Sequence, residues 1–130
     1  MGLISVLAAA LVAWLLGAAY YIVLDKPWMA ASGIKVGPDG KPEGQSPLPF
    51  IISAICMVIV AGMMRHIFAM AAIDTVAKGI VSGLGIGAFF ISPWIFINNA
   101  YGMRPMLLSV IDAGYAVIAA GAMGLVLTLI

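Results

Sequence analysis

One carboxylate, Asp112, interrupts the last apolar stretch of the chain, which runs from Pro105 to Ile130. If that stretch is a membrane helix, Asp112 lies roughly 10 Å from its start, where an ionised carboxylate is costly unless other helices surround it and donate hydrogen bonds. Three roles fit such a residue: a hydrogen-bonded lock between helices, a site that carries protons or a small solute, or a contact with another subunit. We expect the lock.

Several polar residues should lie near Asp112, at the same end of the helices. The hydroxyl of Tyr115, one turn further on, is one candidate hydrogen-bond donor. Arg104 is eight residues from Asp112, too far for the usual i,i+4 pair, so their contact requires an extended side chain or a bridging water. As a lock, Asp112 would hold the fourth helix against the third through Asn98, Asn99 or Arg104. With two residues at the end of the first helix, the predicted polar cluster comprises Asp25, Lys26, Asn98, Asn99, Arg104, Asp112 and Tyr115.

A second set of residues with ligand chemistry lies in an earlier apolar stretch. Met63, His66 and Met70 share one stripe of that helix, and thioether and imidazole groups suit Cu(I). Methionines also fill irregular gaps between helices, and one histidine without clustered cysteines is a poor ligand set. We therefore expect no metal and no other cofactor, with His66 paired to Asp74 or to interfacial water at the helix end.

The composition indicates which elements position these residues. Of 130 residues, 65% are hydrophobic and 8% are charged, and the mean hydropathy is +1.20. Soluble domains carry roughly a quarter charged residues, so this balance is typical of a membrane protein and excludes a soluble catalytic domain. The expected partners are the lipid bilayer and other membrane subunits or copies of the chain itself, and no nucleic acid.

Four apolar segments are long enough to cross a bilayer, for which a helix needs about 20 residues. The predicted helices cover about residues 2–24, 48–72, 79–97 and 105–130. The expected fold class is all-α: one integral membrane bundle of four transmembrane helices, with a Pro- and Gly-rich loop at residues 25–47. A signal peptide is rejected for the first segment because the basic n-region is missing and the apolar stretch is too long.

Four spans put both termini on one side of the membrane, which we call the terminal face. The connection that carries Arg65 and Lys78 lies on that side too. The opposite side, the loop face, carries more cations: Lys26, Lys35, Lys41 and Arg104. The positive-inside rule therefore predicts a cytoplasmic loop face and external termini. Trp28 follows the first helix and is expected to anchor the chain at the membrane interface.

Small residues indicate where the helices approach one another, because lipid tails give no hydrophobic reward for helix contact and close packing must supply the cohesion. Stripes at four-residue spacing are Ala9, Ala13 and Gly17, then Gly79, Gly83 and Gly87, then Ala116, Ala120 and Gly124; Gly114 is a further packing residue. We expect a tight bundle within one chain, with homodimerisation through the glycine stripe as the alternative. Pro93 should kink the third helix and leave the carbonyl of Phe89 in need of a donor, such as the hydroxyl of Ser92.

Two regions of the sequence, "GAAYYIVLDKPWM" and "INNAYGMRPMLLSVIDAGY", resemble the signature regions of a family of small bacterial membrane proteins, catalogued as domain of unknown function 1761. Tyr20 stands where that family usually has tryptophan, and Ile22 and Val23 replace its Ser-Pro. The resemblance implies a four-helix fold in the bacterial cytoplasmic membrane and supplies no activity. The positions that it marks are Lys26, Trp28, Met29, Asn98, Asn99, Arg104, Pro105, Asp112, Gly114 and Tyr115.

Two classes of function remain. No phosphate-binding loop, hydrolase elbow, zinc signature or dinucleotide fingerprint occurs in the sequence, so we expect no enzyme. The first class is a non-enzymatic accessory subunit of a larger membrane complex, or a homo-oligomeric membrane module. The alternative is a small transporter or channel for protons or a small solute, which would use Asp112, Arg104, Asn98 and Asn99.

Overall fold

The computed structural model describes residues 2–44 and 46–130. Four of its helices are long and apolar enough to cross a membrane. In chain order the elements are α1 (Gly2–Val23), α2 (Asp25–Ser32), α3 (Leu48–Met70), α4 (Val76–Ile86), a π-helical turn (Gly87–Ile91), α5 (Ser92–Tyr101) and α6 (Met106–Leu129). From α4 through α5 the chain forms one continuous span, Val76–Tyr101, so the spans are α1, α3, this third span and α6. The predicted all-α fold with four membrane helices is confirmed.

The third span is longer than the predicted range 79–97. It begins at Val76 because Thr75 caps α4: the Lys78 N–H donates to the Thr75 hydroxyl at 3.2 Å. It continues past Asn98 to Tyr101, since polar residues at the loop face remain helical. Hydropathy indicates the part of a helix inside the membrane, whereas capping determines where the helix ends.

The loop predicted at residues 25–47 contains regular structure. It begins with α2, which accommodates Pro27 in its first turn, where a backbone N–H has no partner within the helix. The helix ends at Gly33, whose φ of 72° is left-handed. A small hairpin follows, in which the Gly37 N–H donates to the Lys41 carbonyl at 2.8 Å.

The fourth span, α6, is the central helix of the fold. It packs between α1 and the third span, and α3 packs chiefly against α1 and more lightly against α6. Accordingly, α6 is the most buried of the four spans and α3 the least. Packing is therefore tight around α6, and α3 keeps a broad outer surface.

Glycines allow α4 to approach α6 at backbone distance. A methyl group on Gly87 would lie 2.6 Å from the Ala116 carbonyl oxygen, and one on Gly83 would overlap the backbone of Ala120. The residues that meet along this seam are Gly79, Gly83 and Gly87 on one side and Ala116, Ala120 and Gly124 on the other. The glycine stripe thus packs within the chain.

A second packed region joins α1, α3 and α6. Its buried members are Val6, Ala9, Ala10 and Ala13 from α1, Ala61, Met64 and Phe68 from α3, and Ala119, Ala120, Met123 and Leu127 from α6. Nearer the loop face, the Trp14 indole N–H ties α1 to α3 through the Phe50 carbonyl and the Ser53 hydroxyl, each at 3.1 Å. The small residues of α1 therefore set its distance from α3 and α6, and the Trp14 side chain joins α1 to the loop-face end of α3.

A π-helical turn, Gly87–Ile91, lies just before Pro93, where the sequence predicts a kink. The Ser92 N–H donates to the Gly87 carbonyl, five residues earlier, and the Ser92 hydroxyl donates to the same oxygen at 2.6 Å. The wider turn moves the proline ring away from the preceding backbone. The expectation that the Ser92 hydroxyl donates to the Phe89 carbonyl is wrong, because in the π-helical turn this hydroxyl donates to the Gly87 carbonyl.

Candidate functional site

Asp112 is bonded to the first span. The Tyr21 hydroxyl donates to Asp112 Oδ1 at 2.7 Å, and both side chains are half-buried. The indole of Trp28, in α2, lies beside the same carboxyl group, and Arg104 is the cation near enough to act on it. The Trp28 ring also contacts the Tyr21 ring edge to face, with centroids 6.0 Å apart. Three elements, α1, α2 and α6, therefore meet at this carboxyl group.

Two further tyrosines form a reciprocal seam between α1 and α6. Tyr20 of α1 crosses Gly114 of α6, and its hydroxyl donates to the Ile111 carbonyl at 2.6 Å. In the opposite direction, Tyr115 of α6 crosses Gly17 of α1. Its hydroxyl donates to the Ala13 carbonyl at 2.6 Å. Each helix thus supplies a tyrosine to its partner and a glycine that makes room for the partner's tyrosine.

The three tyrosines also contact one another. Ring centroids of Tyr20 and Tyr21 lie 5.1 Å apart, those of Tyr21 and Tyr115 5.5 Å, and those of Tyr20 and Tyr115 5.7 Å. These distances and the tilted or edge-to-face orientations are those that aromatic pairs prefer. With Asp112 and Trp28 they form what we call the aromatic cluster.

Most of the expected donors to Asp112 bond elsewhere. The Asn99 side-chain amide donates to the Ser109 hydroxyl at 3.1 Å, and Tyr115 donates to Ala13. Asn98 is exposed. The expectation that Asp112 bonds to the third span is therefore wrong, because the face of α6 that carries Asp112 packs against α1 and α2. A lock between the third and fourth spans does exist, but Asn99 and Ser109 form it.

Asp25 and Lys26 lie at the loop face and start α2. The Asp25 carboxylate accepts a hydrogen bond from the Lys26 N–H at 2.7 Å, and both residues are exposed. The side chain of Lys26 lines a separate cavity next to α2. These two members of the predicted polar cluster thus form the start of α2.

The candidate metal ligands lie on the outer surface of α3. Met63 is 57% exposed and Met70 is 75% exposed, and His66 is exposed as well. Asp74 pairs with Lys78 at 3.8 Å instead of with His66. Within residues 2–44 and 46–130, no group of three or more His, Cys, Asp or Glu side chains is arranged to hold a metal ion.

A comparison with known protein families matches residues 4–128 to the family described as "Protein of unknown function (DUF1761)". The chain belongs to this family. No curated protein and no solved structure matches it. The family match contains the whole aromatic cluster and the glycine seam, so both lie within the region that defines membership.

Sequence reasoning missed Tyr20 and Tyr21 as partners of α6 in this member of the DUF1761 family. A signal for them exists, because α1 ends and α6 begins at the loop face. Tyr21 lies near the end of α1, and Asp112 lies six residues after the start of α6. At about 1.5 Å per residue, Tyr21 and Asp112 lie about 3 Å and about 9 Å from the loop-face ends of their helices, a difference that a tyrosine side chain can span.

Proposed function

We propose that this chain is a non-enzymatic membrane module of the bacterial cytoplasmic membrane, either an accessory subunit of a larger complex or a homo-oligomer. The observation that carries the proposal is the use of the polar side chains inside the spans. Those of Tyr20, Tyr21, Tyr115 and Asn99 all donate hydrogen bonds to a neighbouring span. Groups bonded in this way hold helices in register, which supports a structural role.

The outer surfaces of the spans support the same proposal. On α3 a row of large apolar side chains is exposed: Phe50, Ile51, Ile52, Ile55, Ile59 and Met63. On the third span the exposed side chains include Val81, Phe89, Phe90, Trp94 and Ile97. Surfaces of this kind contact lipid or other membrane helices.

The test is purification of the full chain from native membranes in mild detergent, with mass measurement of the intact particle and mass spectrometry of its components. We expect a particle heavier than one chain, containing either copies of it or other membrane proteins in fixed ratio. Ile59→Trp on α3 and Val81→Trp on α4 change exposed side chains, and one of them should dissociate the particle while the chain stays folded. A monomer that retains only lipid would overturn the proposal.

The second candidate is a small transporter or channel. Its supporting observation is that Asp112 is half-buried, with the charge of Arg104 nearby. An acidic side chain within a span is a common element of proton pathways. Purified chain in liposomes that contain a pH-sensitive dye would test it, with Asp112→Asn and Tyr21→Phe as variants. Proton flux lost in Asp112→Asn and kept in Tyr21→Phe would favour this candidate over the first.

A further inference from the structure

A shallow, open cavity of about 430 Å³ lies beside α2 at the loop face. Its lining combines one cation, Lys26, with the apolar side chains of Met29, Ile34 and Val36. Ala30, Gly33 and Gly40 complete the lining. A mostly apolar lining with one placed charge is the chemistry of a site for an amphipathic ligand.

Among the described residues, none of the lysines of this region forms a salt bridge. The one salt bridge among the described residues joins Lys78 to Asp74 on the terminal face. Near the cavity, the Asp25 carboxylate accepts from the Lys26 N–H at 2.7 Å and the Asp39 carboxylate from the Lys41 N–H at 3.1 Å. Glu43, whose N–H donates to the Lys35 carbonyl at 2.8 Å, is a third carboxylate of this region. The three carboxylates balance the charge of the three lysines, but among the described residues none of them forms a salt bridge with a lysine here, so the Lys26 ammonium group can bind an anion.

The position of the cavity indicates the kind of anion. α2 begins two residues after the end of α1, so the cavity lies where the chain leaves the apolar span. Trp28 is in the same short helix, and tryptophan is enriched at the level of lipid headgroups. Lys35 lies in the chain segment between Ile34 and Val36, and its side chain is exposed. A ligand at this level presents a phosphate to lysine and an apolar portion to Met29 and Ile34.

We infer that this cavity binds the headgroup of an anionic phospholipid. Its phosphate is held by Lys26, the one charged residue that lines the cavity among the described residues. The glycerol and the first carbons of the acyl chains lie against Met29, Ile34 and Val36. Lysines near a membrane surface favour anionic lipids by roughly fivefold each. This inference does not depend on the proposed function.

The experiment uses the full chain, delipidated in a neutral detergent and offered phosphatidylglycerol and phosphatidylcholine in equal amounts. Native mass spectrometry then counts the adducts of each lipid. We expect a preference for phosphatidylglycerol that falls about fivefold in Lys26→Gln and is retained in Lys26→Arg. Lys78→Gln is the matched control, since it removes a lysine from the terminal face, and its preference should equal that of the unmodified chain.

Two kinds of result would overturn the inference. One is equal binding of the two lipids by the unmodified chain, or an unchanged preference in Lys26→Gln when its thermal unfolding midpoint shows that it is folded. The other concerns the source of the phosphate. Three competitors are offered to the bound phosphatidylglycerol: inorganic phosphate, soluble glycerol phosphate and more of the lipid. If all three displace it at the same concentration, the cavity is a general anion site without lipid recognition.

Discussion

Tyr21 of the first span donates a hydrogen bond to Asp112 of the last span across 2.7 Å. The two residues are far apart in sequence, and the bond joins the loop-face ends of α1 and α6. The Trp28 ring packs edge to face on the Tyr21 ring, with centroids 6.0 Å apart, so α2 contacts this pair as well. Asp112, an acidic residue that is costly inside a membrane, therefore lies where α1, α2 and α6 meet.

The first prediction concerns this bond. Asp112→Asn keeps an oxygen that accepts from Tyr21, so its free energy of unfolding in detergent should be nearly unchanged. Asp112→Leu leaves the Tyr21 hydroxyl without its partner and should lower that free energy by about 1 kcal/mol or more. In a double-mutant cycle, Tyr21→Phe should cost little once Asp112→Leu is present. Full additivity of the two changes would show that the bond contributes nothing.

The second prediction separates two glycines of α4. A methyl group on Gly83 meets the backbone of α6, whereas one on Gly85 meets nothing within 4 Å. Gly83→Ala should therefore force α4 and α6 apart and lower the thermal unfolding midpoint. Gly85→Ala should leave it unchanged or raise it, since alanine is the better helix former by about 1 kcal/mol. Equal effects of the two substitutions would be inconsistent with a close α4–α6 contact.

The third prediction tests the reciprocal tyrosine seam by rescue. A methyl group on Gly114 would lie 2.6 Å from the Tyr20 hydroxyl oxygen, but 3.6 Å from the nearest ring carbon. Gly114→Ala should destabilise the fold, and adding Tyr20→Phe should recover most of the steric loss.

Gly17 provides the contrast to this rescue. A methyl group there would lie 2.8 Å from the Tyr115 hydroxyl oxygen and still 3.0 Å from a ring carbon. Tyr115→Phe should therefore recover much less of the loss in Gly17→Ala. Unfolding midpoints of the four single variants and two double variants measure both cases. Similar rescue at both glycines would contradict this geometry.

The fourth prediction concerns the turn between α3 and α4. Ala72 has a left-handed φ of 55°, which glycine adopts without the steric cost that alanine bears, whereas Ala71 has a φ of −96°. Both residues are exposed. Ala72→Gly should keep or raise the free energy of unfolding, and Ala72→Val should lower it by about 1 kcal/mol or more. Ala71→Gly, the neighbouring control, should lower it slightly, so a larger loss in Ala72→Gly than in Ala71→Gly would count against this turn geometry.

The number of spans could be read from the sequence because hydropathy is a local property: each segment of about 20 apolar residues satisfies its own backbone in a helix. The spacing of Gly79, Gly83 and Gly87 also indicated a packing face without any knowledge of its partner. The ends of the third span could not be read in this way, since Thr75 sets its start through capping and the polar residues at the loop face stay helical where hydropathy falls.

The partner of Asp112 depends on which helices surround α6 and how α6 is rotated about its own axis. No segment specifies this by itself, because many helix arrangements bury similar apolar surfaces in lipid. Tertiary packing makes the choice: Tyr115 lies over Gly17 and Tyr20 over Gly114, and in this arrangement Asp112 faces Tyr21. Sequence alone thus determined that a buried carboxylate needs a donor, and the steric fit between α1 and α6 decided which donor it has.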